Sequence, residues 1–281
     1  MSGGRSRVRA SFWLLEAPDS LVHQSHRQPD GAGVATFDAD GRPLVTKRPL
    51  AAYEDAGFGR EAYQCESRTF VVHLRHASGT PRTLANTHPF EQHGRVLGHN
   101  GVVGGIDRLE KELGEARRLV RGDTDSERWF ALITREIDAR DGDVGEGLAS
   151  AARWVARELP LYSLNVVLAS ADGLWALRYP DTNELWVLER PAGGERHGDH
   201  FDFRSSMGTH VVPGDDTAAP VVVVASEPLD TEHAWRPLAS GELVHVGPDL
   251  DVHTSIVVPF APEHQLSLAE LGAAAATQAG G

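Results

Sequence analysis

The stretch Arg95-Val96-Leu97-Gly98-His99-Asn100-Gly101-Val102-Val103-Gly104-Gly105-Ile106-Asp107-Arg108-Leu109-Glu110-Lys111-Glu112-Leu113 changes its hydrophobic period half-way along. Arg95 to His99 reads as a strand ending at Asn100-Gly101, a strong turn dipeptide. Beyond it, Ile106, Leu109, Leu113 and Ala116 recur at the three-and-four spacing of one helix face. Two more helices follow. Thr124 and Glu127 have the capping-box form, just ahead of Trp129, Phe130, Ile133 and Ile137. Val144, Leu148, Ala151, Val155 and Leu159 mark the third, which Pro160 stops.

Both flanks of this helical block read as strands. Upstream, to about residue 104, the chain reads as strands and turns, with Phe70-Val71-Val72-His73-Leu74 as a buried strand. Downstream, strands are predicted from Leu164 to Ala169, Leu174 to Tyr179 and Glu184 to Leu188. Ala171-Asp172-Gly173 and Pro180-Asp181-Thr182-Asn183 join them as hairpins of an antiparallel meander. Val221 to Ala225 and Glu242 to Val246 add two strands, and residues 191–217 read as a long polar loop. Strands, then helices, then strands predict an α+β fold, without the βαβ alternation of Rossmann or barrel proteins. One domain is expected over residues 1–265, with an Ala/Gly-rich tail over 266–281 that frays.

Composition narrows the function. The 281 residues carry 27 Lys and Arg against 40 Asp and Glu, a formal charge of −13. Hydrophobic residues at 41% and charged residues at 24% are ordinary globular usage and exclude disorder throughout. The one cysteine, Cys65, excludes an internal disulfide framework and any multi-cysteine metal site. The acid excess argues against nucleic acid or an anionic membrane as partner, since phosphates call for Lys and Arg. No signal-type apolar core follows Met1, and the run Pro220 to Ala225 is far too short to span a bilayer. A cytoplasmic protein is expected.

The common chemical motifs are missing. There is no G-x-G-x-x-G after a strand, no G-x-x-x-x-G-K-[ST], no G-x-S-x-G and no H-E-x-x-H. His73 and His76 are three apart on a strand and turn, where they do not share a face. No metal and no cofactor are expected.

Four segments place polar groups at strand ends: Asp30-Gly31-Ala32-Gly33, His73-Leu74-Arg75-His76-Ala77-Ser78, Asn86-Thr87-His88-Pro89-Phe90 with His99-Asn100-Gly101, and Thr124-Asp125-Ser126-Glu127. Arg75 is suited to clamp a carboxylate. Asn100 offers a side-chain amide and Gly101 an unhindered N–H, two donors fit for an oxyanion hole. Asp125, at a helix start, is suited to an ammonium group. Arg75 and Asp125 together would grip the two ends of an α-amino acid. Singly, each has a plainer reading: a surface ion pair, a turn, a helix cap.

As a set, these residues resemble the class II glutamine amidotransferase domain of the N-terminal nucleophile hydrolases. The matching segments include Ser20-Leu21 through Gln24-Ser25, Pro29 to Gly33, His73-Leu74-Arg75, Asn86 to Phe90, Gly98 to Gly101 and Thr124 to Glu127. The likeness continues through Leu174 to Tyr179 and Val224 to Leu229, and covers roughly residues 12–260. Small stand-alone members are the nearest in kind, because 281 residues leave no room for a synthase domain. The resemblance implies a four-layer αββα sandwich with two antiparallel sheets. It implies Arg75 on the α-carboxylate of glutamine or a γ-glutamyl group, Asp125 on the α-amine, His99 beside them, and Asn100 with the Gly101 N–H as oxyanion hole. The implied chemistry is attack of a cysteine thiolate on the side-chain amide, with that cysteine's own α-amine as base.

One departure stands out. The family cysteine follows the initiator Met and leads the first strand, whereas residue 2 here is Ser and Ser2-Gly3-Gly4-Arg5-Ser6 has poor strand propensity. The leading strand is expected to be missing with its cysteine, as though the written start were truncated or misplaced. Ser2, after Met removal, is the candidate nucleophile of the chain as written. Cys65 has no free α-amine and reads as an ordinary thiol. Three functions follow: an amidohydrolase acting on glutamine or a γ-glutamyl amide, a non-catalytic glutamine- or glutamate-binding protein, and a γ-glutamyl conjugate hydrolase of the ergothioneine type. All three take a small-molecule partner, and a homodimer stays open.

Overall fold

A computed structural model describes residues 1–77, 79–192, 219–231 and 234–271. In chain order its elements are β1 (Val8–Arg9), a π-helical turn (Phe12–Glu16), α1 (Leu21–Gln24), β2 (Gly31–Phe37), β3 (Pro43–Arg48), a 3-10 turn (Ala52–Glu54), α2 (Ala56–Gln64), β4 (Glu66–Ser67), β5 (Val71–Arg75), β6 (Phe90–Gln92) and β7 (Arg95–Val103). Then come α3 (Ile106–Leu113), which runs into a 3-10 segment (Gly114–Leu119), α4 (Asp125–Asp138), α5 (Val144–Glu158), β8 (Leu161–Ala169) and β9 (Leu174–Leu177). The last are β10 (Trp186–Arg190), β11 (Val221–Ala225), β12 (Arg236–Pro237), β13 (Glu242–Val246) and β14 (Val252–Ile256). The expected α+β class holds. Most of the loop expected at residues 191–217, and residues 272–281 of the tail, lie outside the described residues.

Apolar periodicity builds four layers. Leu109 and Leu113 of α3, Phe130, Ile133 and Ile137 of α4 and Leu148 and Val155 of α5 bury against Leu97, Leu164, Val166 and Leu168 of β7 and β8. Those strands belong to a six-stranded antiparallel sheet of order β14-β13-β9-β8-β7-β6. Its other face meets a second β layer through two smaller clusters. One joins Val96 and Ala169 to Ala35, Phe37 and Val71, and the other joins Val244 and Val246 to Val187 and Val222. That second layer is covered by Trp13, Leu14, Phe58 and Ala62 of the N-terminal helical turns. The second layer differs from the single sheet expected. It is split into β3-β2-β5 and β11-β10-β12, and Ser2 bridges the two by pairing with both Thr69 and Val222.

Three local expectations are corrected. The N-terminal third is not all strand and turn: Asp55 caps α2 by accepting the Gly57 N–H at 2.8 Å, and Phe58 and Ala62 give that helix a buried face. Asn100-Gly101 is not a turn, because β7 runs straight through it with Asn100 opposite Asn165 and Gly101 opposite Leu164. The β8–β9 hairpin forms, but β9 and β10 do not pair. β9 pairs with β8 and β13, while β10 pairs with β11 and β12 in the other layer. Buried Asn165 organises this crossing. Its amide donates to the carbonyls of Asn183 and Glu184, both at 3.1 Å, and accepts the Tyr179 N–H at 2.9 Å.

Removing that amide strands the buried Tyr179 N–H and takes the partner from the Asn183 and Glu184 carbonyls. We expect Asn165→Ala to lower unfolding free energy by about 2–4 kcal/mol, read from the urea midpoint. An unchanged midpoint would show that Asn165 does not hold the crossover.

Candidate active site

A cavity of about 450 Å³ opens between the two β layers. Its walls are β5, the middle of β7 and β8, the β11 edge, and Trp13, Leu14, Leu21 and Gln24 from the helical layer. Arg75, His99, Asn100, Gly101 and Asp125 all line it, so one space gathers residues spread over fifty positions of sequence. Ser2 and Cys65 do not line it. Ser2 is buried with its backbone bonded both ways to Val222, and its hydroxyl accepts the Gly4 N–H at 3.2 Å. Cys65 caps the end of α2 as a half-buried free thiol. Met1 does reach the cavity, and its amine donates to the Phe70 carbonyl at 2.9 Å. Burial lowers that amine from its usual range to about 5.

β7 sorts its side chains by alternation. Leu97 and Val103 face the helices, while Val96 faces the second β layer. His99 therefore turns to α4 and Asn100 to the cavity side. The His99 Nε2 lies 3.2 Å from the Ser163 carbonyl, which only accepts, so Nε2 carries the proton. The His99 Nδ1 then accepts from the Ser126 hydroxyl at 2.9 Å. Both ring nitrogens are thus used inside the protein. The Asn100 amide is oriented in a similar way. Its Oδ1 accepts from Asn183 at 3.3 Å, which leaves its NH₂ to donate elsewhere.

The Gly101 N–H is available for a ladder reason. Leu164, opposite Gly101, sends its own N–H to the Tyr179 carbonyl on the far side. The Gly101–Leu164 pair is therefore the non-bonded kind, and the Gly101 N–H points away from β8. β6 pairs only with Arg95 to Leu97 and does not reach it. Glycine is also required here by space: a Cβ on Gly101 would stand 1.9 Å from the Ser163 carbonyl oxygen.

Arg75 ends β5, 4% exposed. Its Nη2 donates to the Thr80 hydroxyl at 2.7 Å and the Thr80 carbonyl at 3.2 Å, while its Nη1 is buried with no protein partner. Burial pushes its pKa down and nearby Asp30 supports its charge. Asp30 in turn accepts the Ala77 N–H at 2.6 Å and pairs with Arg82. Asp125 opens α4 next to its cap Thr124, whose hydroxyl accepts the Glu127 N–H at 3.2 Å. Asp125 Oδ2 also accepts the Val103 N–H at 2.8 Å, tying α4 to the end of β7.

Two members of this wall lie in the segments quoted from the sequence but carried no assigned role there. His73 and His88 stack with ring centroids 4.0 Å apart, and His88 also leans on Phe90. The His73 Nε2 donates to the His99 carbonyl at 3.0 Å; its Nδ1 and both His88 ring nitrogens are buried without protein partners. Burial pushes His73 down to about 4 and His88 well below its usual range. The alternation of His73 with Arg75 along one strand was the available signal. Among the described residues, no group of three or more His, Cys, Asp or Glu could hold a metal ion, and no helix is long and apolar enough to cross a membrane.

Residues 19–260 match the family of class-II glutamine amidotransferases. The chain belongs to that family. It is 29% identical over 221 residues to the putative glutamine amidotransferase YafJ of Escherichia coli, covering 76% of this chain and 83% of that one. It is 30% identical over 261 residues to the γ-glutamyl-hercynylcysteine sulfoxide hydrolase of Mycolicibacterium smegmatis, covering 88% and 92%. A glutamine aminotransferase class-II domain protein from Silicibacter pomeroyi shares the fold at TM-score 0.55 and 21% identity, over 82% of this chain and 92% of that one. The glutamine phosphoribosylpyrophosphate amidotransferase of B. subtilis shares it at TM-score 0.59 and 17% identity, over 86% of this chain but 46% of that longer one.

Two outcomes are expected of this cavity wall. A Cβ at Gly98 would make only ordinary contacts at 3.6 Å, unlike one at Gly101. Gly101→Ala should therefore cost about 2 kcal/mol or more and Gly98→Ala much less, by urea unfolding. Equal costs would refute the close approach to Ser163. The buried histidines also set a pH dependence. Between pH 6.5 and about 4 the unfolded chain binds protons that folded His73 does not, so stability falls as pH drops through that window. His88→Phe should flatten the loss of stability on acidification, by up to about 1.4 kcal/mol per pH unit. A slope unchanged in this variant would show that His88 is not held neutral.

Proposed function

We propose that the cavity binds a γ-glutamyl group and that the chain's chemistry is hydrolysis of its side-chain amide. The observation that carries this is the meeting of Arg75, Asp125, Asn100 and Gly101 on one cavity. In this reading the Arg75 Nη1, buried and unused by the protein, takes the substrate α-carboxylate. Asp125 takes the α-ammonium. The Asn100 NH₂ and the Gly101 N–H point where negative charge develops on the carbonyl oxygen as the amide is attacked. His99 acts through Ser126 and the α4 start, holding Asp125 in place rather than touching the acyl group. With a cysteine thiolate supplied by a Cys-led first strand, attack on the carbonyl carbon would form a γ-glutamyl thioester as the C–N bond breaks. The nitrogen would leave protonated as ammonia, or as the amine of a conjugate, and water would hydrolyse the thioester to glutamate and free thiol.

The relative at 30% identity is named for a γ-glutamyl conjugate, so glutamine and γ-glutamyl thiol conjugates are both candidate substrates. The position of Ser2 and Cys65 outside the cavity favours a second reading, amino-acid binding without turnover. In the family resemblance the nucleophile is a cysteine leading the first strand, and none of the cavity-lining residues is a cysteine.

One experiment separates the readings. Glutamate and glutamine should each raise the melting temperature of the chain, and Arg75→Ala should weaken their binding by about a hundredfold, about 2.7 kcal/mol. An unchanged shift in that variant would remove Arg75 from the site. Glutamate release from glutamine and from γ-glutamyl conjugates should appear in a version carrying a Cys-led first strand. If that version binds but stays inactive on both, the binding reading replaces the hydrolytic one.

A further inference from the structure

One outer edge of the six-stranded sheet is β14, whose only sheet neighbour among the described strands is β13. The bonds at its two ends show which backbone groups it has left over. Asp251, just before the strand, accepts the Gly247 N–H at 3.0 Å, and Val257, just after it, donates to the Gly241 carbonyl at 2.8 Å. In an antiparallel ladder the residues that bond across alternate. His253 and Ser255 therefore bond to β13, and the backbone N–H and C=O groups of Val252, Thr254 and Ile256 point outward. Among the described residues nothing meets those outward groups.

A free edge is a template for another strand, and proteins blunt such edges with charge, proline or shortness. Three other edges of this molecule follow that rule. β6 is three residues long and carries Glu91, β12 is two residues long and ends on Pro237, and β3 carries Pro43, Lys47 and Arg48. β14 does not. Val252-His253-Thr254-Ser255-Ile256 contains no Asp, Glu, Lys, Arg or Pro, and all of it but Val252 is exposed. Ile256 is a large apolar side chain left 52% exposed on this edge.

We propose that β14 pairs with β14 of a second copy of this chain, antiparallel about a two-fold axis at Thr254, joining two sheets into one continuous sheet. The strand is complementary to itself in that register. Thr254 faces its own counterpart, and Val252 and Ile256 face each other twice, so the outward groups of both strands form about six backbone hydrogen bonds. An axis at His253 or Ser255 would leave about four. Directly opposed side chains share a face. Val252 packs on the cluster of Val244 and Val246, so Thr254 and Ile256 project on that same side by alternation. The exposed Ile256 thus gains the partner's Val252, and the threonines form a cross-strand pair of the favourable kind. Charge selects this approach as well. Two copies at −13 repel each other, and β14 lets them meet along a stretch without a carboxylate. In this register Asp251 falls opposite the partner's Val257 and not opposite another acid. The contact lies apart from the cavity and does not depend on the γ-glutamyl reading.

Sedimentation equilibrium of the full chain is the test. An edge-to-edge contact is a small interface, so the chain should sediment as a monomer at about 1 μM and approach twice that mass by about 100 μM. Thr254→Pro removes an N–H that β13 does not use, so the monomer should keep its melting temperature while association weakens by about tenfold or more. Ile256→Lys should weaken association by a similar factor through charge on the edge. A second arm reads the register. In a Cys65→Ser background, Thr254→Cys should oxidise to a disulfide-linked dimer, because that position meets itself with Cα atoms about 5.5 Å apart. His253→Cys, which falls opposite Ser255, should link about tenfold more slowly. A chain that stays monomeric at about 100 μM, or a dimer that associates equally well with Ile256→Lys, would overturn the proposal. Thr254→Cys linking no faster than His253→Cys would overturn it as well.

Discussion

The site hangs on the ladder between β7 and β8. Those two strands pair from Val96 with Ala169 to Val103 with Leu161, at the centre of the six-stranded sheet. One face of the ladder buries Leu97, Leu164, Val166 and Leu168 under α4 and α5. The other face carries Asn100 and Asn165 toward the second layer. Because the same few residues pack the sheet and line the cavity, the freedom of each is small. Gly101 has no room for a Cβ, and His99 has no ring nitrogen to spare. A rigid ladder suits an oxyanion site, whose donors must already be aimed before charge develops.

Burial decides which groups near the ladder carry charge. The chain as a whole is acidic at −13, yet its cavity wall combines a buried guanidinium with two buried imidazoles, His88 and His99, and a half-buried one, His73. Desolvation lowers the pKa of all three histidines, so none competes with Arg75 for an anion at neutral pH. Arg75 resists the same penalty because a guanidinium starts far above neutrality and Asp30 stands nearby. Arg75 and, at the start of α4, the Asp125 carboxylate thus both face the cavity, with the Arg27–Glu227 ion pair also on its wall. Opposite charges of that kind are what an α-amino acid presents in reverse.

Much of this was legible in the sequence, and the failures have specific causes. Helical faces such as Ile106, Leu109 and Leu113 were readable because their period is long and uninterrupted. The capping residue Thr124 was readable because its chemistry is local. Asn100-Gly101 was misread as a turn because the dipeptide's local preference is real, and only the pairing with Asn165 and Leu164, more than sixty positions on, overrides it. The supposed β9–β10 hairpin failed for the same reason. Pro180 to Asn183 look like a turn, but Asn165 captures the Asn183 and Glu184 carbonyls and sends the chain to the other layer. Arg75 and Asp125 were singled out because carboxylate and ammonium recognition demands those residue types, and both line the cavity. His73 and His88 lay in the quoted segments without a role, because a neutral imidazole leaves no mark on composition or period.

The split of the second β layer bears on function as much as on architecture. Arg75 sits on β5, in one half of that layer, while Asn100 and Gly101 sit on β7 in the sheet below. The halves are joined through the backbone of Ser2 alone among the described bridges, at the end remote from Arg75. Across the layers, Arg75's strand is tied to β7 by the His73 Nε2 bond to the His99 carbonyl and by Val71 against Val96. Arg75 and the Asn100–Gly101 pair are thus fixed to each other by fewer contacts than hold each within its own sheet. An error of about 1 Å between such groups can cost about a hundredfold in rate. Recognition tolerates this looseness better than catalysis does, because a single guanidinium can follow its carboxylate, whereas attack geometry requires both sheets to hold still together.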